Sequence, residues 1–341
     1  MKYVQMGKTD IKISNIGLGT WAFSGDCFWG SQDEKDSINT VLSALDNGVN
    51  FIDTAEGYGC SEEVLGRALI GRREEAILAT KAIWSSLKKE NLLKSFEKSL
   101  KNLRTDYVDL YYIHWPNIEA PLADTMEILE KLKKQGKIRS IGVSNFGSNY
   151  LKEIVELGKI DLIDVNQLPY SLLWRAIEFE IKDACLENHI DIVSYSSLAQ
   201  GLLTGLYKNV ESVPDHLKVT RFYNCSHVNA GHGEEGCEKE VFTALKKLEE
   251  ICKELSIDMV ELATAWLLHQ KGVCSVLVGA RKPEEMEQNI KASEIKFDNE
   301  TLKKITNTTE EVKSKLGNNP DMWENAKNSR YIKGFSGPGS K

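Results

Sequence analysis

Short apolar runs rich in β-branched residues alternate along the chain with longer stretches of helical periodicity. Between Asn91 and Leu103 the apolar side chains recur every three or four positions, which predicts an amphipathic helix. The stretch from Thr125 to Lys134 has the same period and stops at Gly136, as a helix with a glycine C-cap does. Eight of the apolar runs predict strands, which begin near Ile16, Asn50, Ala76, Tyr107, Ile138, Leu162, Ile190 and Ser275.

The alternation of strands and helices predicts an α/β protein with a parallel sheet. Most neighbouring strands are separated by roughly the 30 residues that one strand–helix unit occupies. Eight units without an intervening linker favour a closed (β/α)8 TIM barrel, a fold of about 250 residues. We therefore predict a single domain over residues 1–316 and an irregular C-terminal tail over residues 317–341.

The chain is longer than a minimal barrel, and three additions account for the difference. Residues 3–14 are typical of an N-terminal β-hairpin that turns at residues 7–10. The interval between Tyr195 and Ser275 exceeds one strand–helix unit, so we expect a long loop and an added helix after the seventh barrel strand. A final helix is predicted from Asn299 to Leu316.

The composition places the chain among ordinary globular proteins, with 41% hydrophobic and 27% charged residues. A net charge of -7 provides no basic surface for nucleic acid. No run of about 18 apolar residues predicts a membrane span. The seven cysteines are odd in number and form no Cys-x-x-Cys pair, which is typical of reduced thiols. We expect a cytoplasmic protein that binds no nucleic acid and does not insert into a membrane, and no pattern specifies an oligomeric state.

One cluster has the residue types of a zinc site. Cys225, His227, His232 and Cys237 together offer four possible ligands. Structural zinc sites favour close Cys or His pairs, and these spacings fit no standard pattern. The alternative, which we favour, is a polar glycine-rich loop that happens to contain them, so no metal is predicted.

Titratable side chains stand at the ends of three successive predicted strands. Asp53, Lys81 and His114 end these strands, and Tyr58 follows the first of them on a loop flanked by glycines. In parallel α/β proteins the carboxyl ends of the strands converge on one mouth. Taken singly, the aspartate is as readily a cap and the histidine a core residue. Together the four side chains indicate acid–base chemistry.

A competing interpretation starts from the stretch Gly17-Leu-Gly-Thr-Trp-Ala22, which matches the dinucleotide fingerprint G-x-G-x-x-A. That fingerprint requires a helix to begin at once, so that the helix N-terminus faces the pyrophosphate. No helix is predicted before Asp33, so we reject the interpretation. A Tyr-x-x-x-Lys pair, as in short-chain dehydrogenases, is also absent.

The chain resembles the aldo-keto reductase superfamily, in particular its bacterial branch, and is also similar to the potassium-channel β subunits that share its fold. The motifs that carry the resemblance follow the family's order through residues 2–292. They are Gly17-Leu-Gly-Thr-Trp21, Asp53-Thr-Ala-Glu-Gly-Tyr58, Ser61-Glu-Glu-Val-Leu-Gly66, Thr80-Lys81, Ile113-His-Trp-Pro116, Ile141-Gly-Val-Ser-Asn-Phe146, Asn166-Gln167, Tyr195 to Gly205, and Gly279-Ala-Arg281.

The resemblance implies reversible, NADPH-dependent reduction of an aldehyde or ketone to an alcohol by direct hydride transfer, without a metal. It implies that Tyr58 is the general acid and that Lys81 lowers the pKa of Tyr58 from its usual value of about 10. Asp53 would keep Lys81 charged and oriented, and His114 would orient the carbonyl oxygen.

The resemblance also implies a site for NADP(H), with NADPH preferred. Arg281, before a helix, would bind the 2′-phosphate. Two positions depart from the family: Gln288 where an acidic residue is common, and Ser197 where proline is usual, which we expect to relax its loop. The implied cofactor residues are Thr20, Trp21, Asp53, Ser144, Asn145, Gln167, Tyr195, Ser196, Leu198, Gly201, Leu203, Arg221, Gly279, Arg281, Glu285, Gln288 and Asn289.

Aromatic residues on the early loops suggest where a small-molecule carbonyl substrate would bind. The candidates are Trp21, Trp29, Trp84 and Trp115. Two other functions remain open. The first is a nucleotide-binding sensor or channel-β-like module with little turnover. The second is a metal-dependent barrel hydrolase, which lacks a convincing set of ligands.

Overall fold

The computed structural model describes residues 1–25 and 28–334. Its centre is a closed barrel of eight parallel strands in chain order, in which the last strand pairs with the first. An antiparallel hairpin precedes the barrel, so the predicted fold is confirmed. The hairpin strands are β1 (Tyr3–Gln5) and β2 (Lys12–Ser14); the barrel strands are β3 (Ile16–Gly19), β4 (Phe51–Asp53), β5 (Ile77–Ala82), β6 (Val108–Ile113), β7 (Ile138–Ser144), β8 (Ile163–Pro169), β9 (Asp191–Tyr195) and β10 (Val273–Gly279).

Helices surround the barrel and follow its strands. They are α1 (Glu34–Asp46), α2 (Ser61–Ala68), α3 (Lys89–Leu103), α4 (Leu122–Lys134), α5 (Ser148–Glu156), α6 (Ile181–Glu187), α7 (Glu238–Leu255), α8 (Met259–Leu268), α9 (Pro283–Lys291), α10 (Asn299–Thr308), α11 (Glu310–Leu316) and α12 (Arg330–Lys333). As predicted, the long interval between β9 and β10 contains an irregular stretch and an additional helix.

The single helix predicted from Asn299 to Leu316 is wrong in one detail, because the structure divides it at Thr309. The carbonyl oxygen of Thr306 accepts from Arg175 at 3.0 Å and from the backbone N–H of Thr309 at 3.3 Å. Thr309 leaves helical geometry with φ near −109°. A hydrogen bond from a distant loop therefore lies at the point where the helix is interrupted.

The interior of the barrel follows from the two-residue period of its strands. Inward-facing apolar side chains form one buried cluster with Met6, Ile11 and Ile13 of the hairpin, which closes the amino-terminal end. On five of the strands, the residue two positions further along has the same inward direction and carries a functional group at the carboxyl end. The apolar and functional residues pair as Phe51 and Asp53, Ala79 and Lys81, Tyr112 and His114, Val165 and Gln167, and Val193 and Tyr195.

Residues 318–334, here named the C-terminal segment, follow α11 and run to the carboxyl mouth of the barrel. Residues 317–341 were predicted to be irregular, yet the described part of them includes the short helix α12. Residues 335–341 lie outside the described residues. Trp323 and Arg330 of this segment line the same cavity as Tyr58, so it contributes to the candidate site.

Candidate active site

A buried ion pair lies at the base of the barrel mouth. The fully buried Nζ of Lys81 donates hydrogen bonds to Oδ1 of Asp53 and, at 2.7 Å, to the carbonyl oxygen of Thr54. The other carboxylate oxygen of Asp53 accepts from Nε2 of Gln167 at 2.9 Å. The lack of a side chain at Gly142 leaves space for the ring of Tyr112, because a Cβ at this position would lie 2.5 Å from that ring.

Burial acts against both charges of this pair. It raises the pKa of Asp53, while the charge and hydrogen bond of Lys81 partly lower it. It lowers the pKa of Lys81, and Asp53 opposes that shift. Each charge is therefore stabilised mainly by the other, and loss of either would leave an uncompensated ion in the barrel.

The rings of Tyr58 and His114 lie above this pair. Nζ of Lys81 is 5.0 Å from the ring centroid of Tyr58, and the His114 ring is 5.6 Å from that of Tyr58 in an edge-on arrangement. A turn positions the tyrosine, since its backbone N–H donates to Ala55 and Gly59 takes a left-handed φ of 52°. The structure thus brings together the four predicted catalytic side chains.

Both rings are uncharged at neutral pH. Burial raises the pKa of Tyr58 well above 10, and the charge of Asp53 raises it further. Burial lowers the pKa of His114 well below 6.5, with the charge of Lys81 adding to the effect. The sequence-based expectation that Lys81 lowers the pKa of Tyr58 is not met, because the ammonium is already paired with Asp53. A protonated phenol is suited to donating a proton.

A cavity of about 330 Å³ opens on one side of Tyr58. Its walls are mostly aromatic or polar, and two of its residues come from the C-terminal segment. The lining residues are Trp21, Gly57, Tyr58, His114, Trp115, Ser144, Asn145, Gln167, Tyr195, Trp323 and Arg330. Nothing in the sequence patterns indicated Trp323 or Arg330.

A second cavity, of about 250 Å³, lies on the other side of Tyr58 and passes between β10 and the loop after β9. Of the predicted cofactor residues, eleven line it: Thr20, Trp21, Asp53, Gln167, Tyr195, Ser196, Leu198, Gly201, Gly279, Arg281 and Glu285. Ser144 and Asn145 line the first cavity instead. Leu203, Arg221, Gln288 and Asn289 are among the described residues that line neither.

Arg221 does not reach the second cavity, because the C-terminal segment surrounds it. Only 4% of Arg221 is exposed. Its guanidinium donates to the carboxylate of Glu234 and to the carbonyl oxygens of Leu316, Asn319 and Asp321, at 2.7 to 3.3 Å. The arginine therefore anchors the segment to the body of the protein.

The other residues that do not line the cavities also have partners within the protein. Nε2 of Gln288 donates to Asp258 at 2.7 Å, and Nδ2 of Asn289 donates to the carbonyl of Gly279 at 3.2 Å. Leu203 is fully buried in the hydrophobic core. Of these three side chains, Asn289 hydrogen bonds to a residue that lines the second cavity, Gly279.

The loop after β9 includes a run of left-handed backbone at Ser196, Ala199, Gln200 and Gly201. Ser197, where proline is usual in the family, was expected to relax this loop, and that expectation stays a prediction. The hydroxyl of Ser197 donates to the carbonyl oxygen of Leu277 on β10 and ties the loop to the barrel. Sequence reasoning also missed Gln200, which lines the cavity next to Gly201.

The side chain of Asn145 is saturated by protein hydrogen bonds. Its Oδ1 accepts from the hydroxyls of Tyr195 and Tyr331, each at 2.7 Å. Its Nδ2 donates to the carbonyl of His114 and the hydroxyl of Ser144, each at 3.0 Å. Tyr331 belongs to the C-terminal segment, so that segment helps to fix the orientation of Asn145.

Arg281 connects the two walls of the second cavity. Its Nε donates to Oε1 of Gln32 at 2.8 Å, and its Nη atoms donate to the carbonyls of Trp29 and Ser31. Its backbone N–H donates to Glu285 at 2.8 Å. The guanidinium therefore lies where the loop after β3 meets the start of α9.

The four tryptophans predicted at the substrate site occupy different places. Trp21 lines both cavities, and its ring stacks at 5.9 Å on that of Tyr58. Trp115 lines the first cavity. Trp29 lines the second cavity. Trp84 packs partly buried against the hydrophobic core and lines neither cavity.

Across residues 1–25 and 28–334, no group of three or more His, Cys, Asp or Glu side chains has metal-binding geometry. Within the predicted loop, Nε2 of His227 contacts Glu238 at 2.7 Å, and Nδ1 of His232 accepts from the backbone of Glu234 at 3.1 Å. No helix in the described part of the chain is long and apolar enough to cross a membrane.

Comparison with known proteins agrees with this geometry. A model of the Aldo/keto reductase family matches residues 15–310. Aldo-keto reductase YhdN from Bacillus subtilis is 36% identical over 304 residues, covering 84% of this chain and 87% of that protein. NADH-specific methylglyoxal reductase from Escherichia coli is 34% identical over 320 residues, covering 86% and 94%. A probable voltage-gated potassium channel subunit beta from Arabidopsis thaliana is 28% identical over 311 residues, covering 86% and 92%.

A solved structure extends the similarity to the whole fold. The aldo/keto reductase from Klebsiella pneumoniae in complex with NADP and acetate superposes with a TM-score of 0.74 at 26% identity, over 94% of this chain and 99% of that one. The predicted resemblance is confirmed, and the chain belongs to the aldo/keto reductase family of oxidoreductases.

Proposed function

We propose that the protein reduces an aldehyde or ketone to an alcohol with NADPH, reversibly, with Tyr58 as the general acid. One observation carries the proposal. Tyr58 lines both cavities, together with Trp21, Gln167 and Tyr195. A nucleotide in one cavity and a carbonyl compound in the other would therefore meet at the phenol.

The side chains then have distinct tasks. When bound, the nicotinamide supplies the hydride. Tyr58 donates its proton to the carbonyl oxygen, since its raised pKa keeps it protonated. Neutral His114 donates a ring N–H to the same oxygen in the tautomer that carries the proton on the nitrogen facing the cavity. Asp53 and Lys81 form the buried ion pair beneath the tyrosine, with Nζ of Lys81 5.0 Å from the ring centroid of Tyr58.

The second cavity has features that fit a dinucleotide. The buried amide Nε2 of Gln200 lacks a hydrogen-bond partner within residues 1–25 and 28–334, and it lines the cavity. A donor of this kind suits a phosphate oxygen. A Cβ at Gly279 would meet no atom within 4 Å, so the wall is open there.

We propose NADPH as the preferred nucleotide because Arg281 lies at the end of this cavity, beside the start of α9. A guanidinium can bind a 2′-phosphate through two hydrogen bonds. The relatives differ in this respect: one is named NADH-specific, while the Klebsiella protein was solved with NADP. We also propose a reducing, cytoplasmic location, supported by the free thiols of the six described cysteines.

The first test is tryptophan fluorescence titration with NADPH and NADH, followed by a panel of aldehydes and ketones. We expect tighter binding of NADPH and its oxidation by at least one carbonyl compound. Tyr58→Phe should retain nucleotide binding and lose about 10²- to 10⁴-fold in carbonyl reduction, the usual contribution of a general acid.

A matched control is Tyr107→Phe, which removes a phenol hydroxyl just before β6, at the opposite end of the barrel. It should leave both nucleotide binding and turnover unchanged. Turnover retained in Tyr58→Phe would remove Tyr58 from the acid role. Tight NADPH binding without any turnover by the wild-type protein would favour the nucleotide-binding sensor.

A further inference from the structure

The cavity beside Tyr58 has a cationic side chain in an otherwise uncharged wall. Among the described residues that line it, Arg330 alone carries a formal charge, because the pKa of His114 is lowered by burial and then by nearby positive charges. The chain as a whole carries a net charge of -7, so this positive spot is a local feature. A cation facing a reaction cavity attracts an anionic part of a ligand.

The guanidinium of Arg330 is held in a fixed orientation. Nε donates to Oδ2 of the fully buried Asp321 at 2.8 Å, and Nη2 contacts the other carboxylate oxygen. The guanidinium carbon lies 4.2 Å from the ring centroid of Trp115 and 5.1 Å from that of Trp323. Asp321 is not among the cavity-lining residues, so the carboxylate supports the arginine from behind.

Burying this ion pair costs desolvation free energy. A buried Arg–Asp pair gains little net stability over an apolar pair, because both ions lose their hydration. Here a carboxylate and two aromatic rings orient the arginine. Its positive charge acts to lower the pKa of both Tyr195 and His114. Preorganised arginines of this kind bind carboxylates and phosphates.

We propose that the carbonyl substrate carries an anionic group, a carboxylate or a phosphate, which Arg330 binds while the carbonyl lies at Tyr58 and His114. The tryptophan rings of the cavity would hold the body of the molecule. This inference rests on the proposed function and adds the substrate class. Arg330 is then a specificity-determining residue contributed by the C-terminal segment.

The test compares related aldehydes with and without an anionic group. For the carboxylate, the pair is 4-carboxybenzaldehyde and methyl 4-formylbenzoate; for the phosphate, it is glyceraldehyde 3-phosphate and glyceraldehyde. We expect the wild-type protein to prefer at least one charged member in kcat/KM. The pair with the larger preference identifies the anion.

Arg330→Gln alone would leave the buried Asp321 without its cationic partner, so the main variant is the double substitution Arg330→Gln with Asp321→Asn. It should lower kcat/KM for the preferred charged aldehyde by roughly 10- to 100-fold, the effect of a lost charge-assisted hydrogen bond, and change that for the neutral partner much less. Arg139→Gln is the matched control. It removes the same charge from a half-exposed site near the start of β7 and should preserve the preference.

Binding is measured separately by the tryptophan fluorescence of the NADP+-loaded protein with each probe, which requires no turnover. Equal turnover and equal binding of charged and neutral probes by the wild-type protein would overturn this inference and leave the proposed function intact. Preferential binding of a charged probe that is lost in the double variant, without reduction of any aldehyde, would sustain the inference and refute the proposed function. A preference that persists in the double variant would exclude Arg330 as its source.

Discussion

At the scale of single residues, the environment of Tyr58 sets the protonation state of its phenol. The nearby ammonium of Lys81 is paired with Asp53 and the carbonyl of Thr54. Burial therefore dominates, and the pKa of Tyr58 is raised well above 10. The phenol is ready to donate a proton, but it is rarely ionised to accept one.

This asymmetry predicts opposite pH profiles for the two directions. In the proposed mechanism, reduction uses the protonated phenol, so its kcat should stay level from neutral pH to about pH 9. Alcohol oxidation uses the phenolate, so its initial rate should rise about tenfold per pH unit over that range without reaching a plateau. Initial rates of both reactions, measured in one buffer series, would check this. A plateau of oxidation below pH 9 would mean that the pKa is lowered after all.

At the scale of elements, the C-terminal segment connects the two halves of the site. Arg330 lines the cavity beside Tyr58 and His114, and the buried Tyr331 donates to Oδ1 of Asn145 at 2.7 Å. The same Oδ1 accepts from Tyr195, which lines both cavities. We therefore expect a substitution in the C-terminal segment to change the nucleotide affinity of the second cavity.

Tyr331→Phe tests this connection. The variant leaves Oδ1 of Asn145 with Tyr195 as its partner, so we expect a loss of only about 0.5–1.5 kcal/mol in the free energy of unfolding. The less constrained Asn145 should weaken NADPH binding by roughly two- to tenfold, measured by fluorescence titration. Tyr150→Phe, which removes a hydroxyl from α5 outside both cavities, should leave nucleotide affinity unchanged. Equal weakening by both variants would contradict a specific role for Tyr331.

The same elements show what sequence patterns can and cannot predict. The barrel strands and the positions of Asp53, Lys81 and His114 were predictable because a strand's two-residue period and its end fix where a side chain points. The C-terminal segment has no such period. Its place depends on contacts between residues distant in sequence, such as those of Arg221 with three carbonyls of residues 316–321. Trp323 and Arg330 were missed for that reason.

At the scale of the whole molecule, a charged network joins the barrel to the helix that precedes this segment. Glu178, on the loop after β8, accepts from Arg175 at 2.8 and 2.9 Å and from Lys313 of α11 at 2.9 Å. Burial raises the pKa of Glu178, but these cations outweigh it and lower the pKa to about 2. Acid should therefore loosen the attachment of α11 as Glu178 becomes protonated.

The sign and size of this effect can be measured. Because the pKa of Glu178 falls from 4.5 to about 2 on folding, its ionisation stabilises the native state above pH 4.5, and this stabilisation is lost as the pH falls from 4.5 to 2. We expect Glu178→Gln to be less stable than the wild type by about 3 kcal/mol at pH 6 and the difference to shrink towards zero near pH 2, as measured by urea unfolding across that range. Glu310→Gln is the control, since Glu310 pairs with the same arginine but is half exposed, and its difference from the wild type should stay small at every pH. A pH-independent difference for Glu178→Gln would show that the glutamate acts through packing and not through its charge.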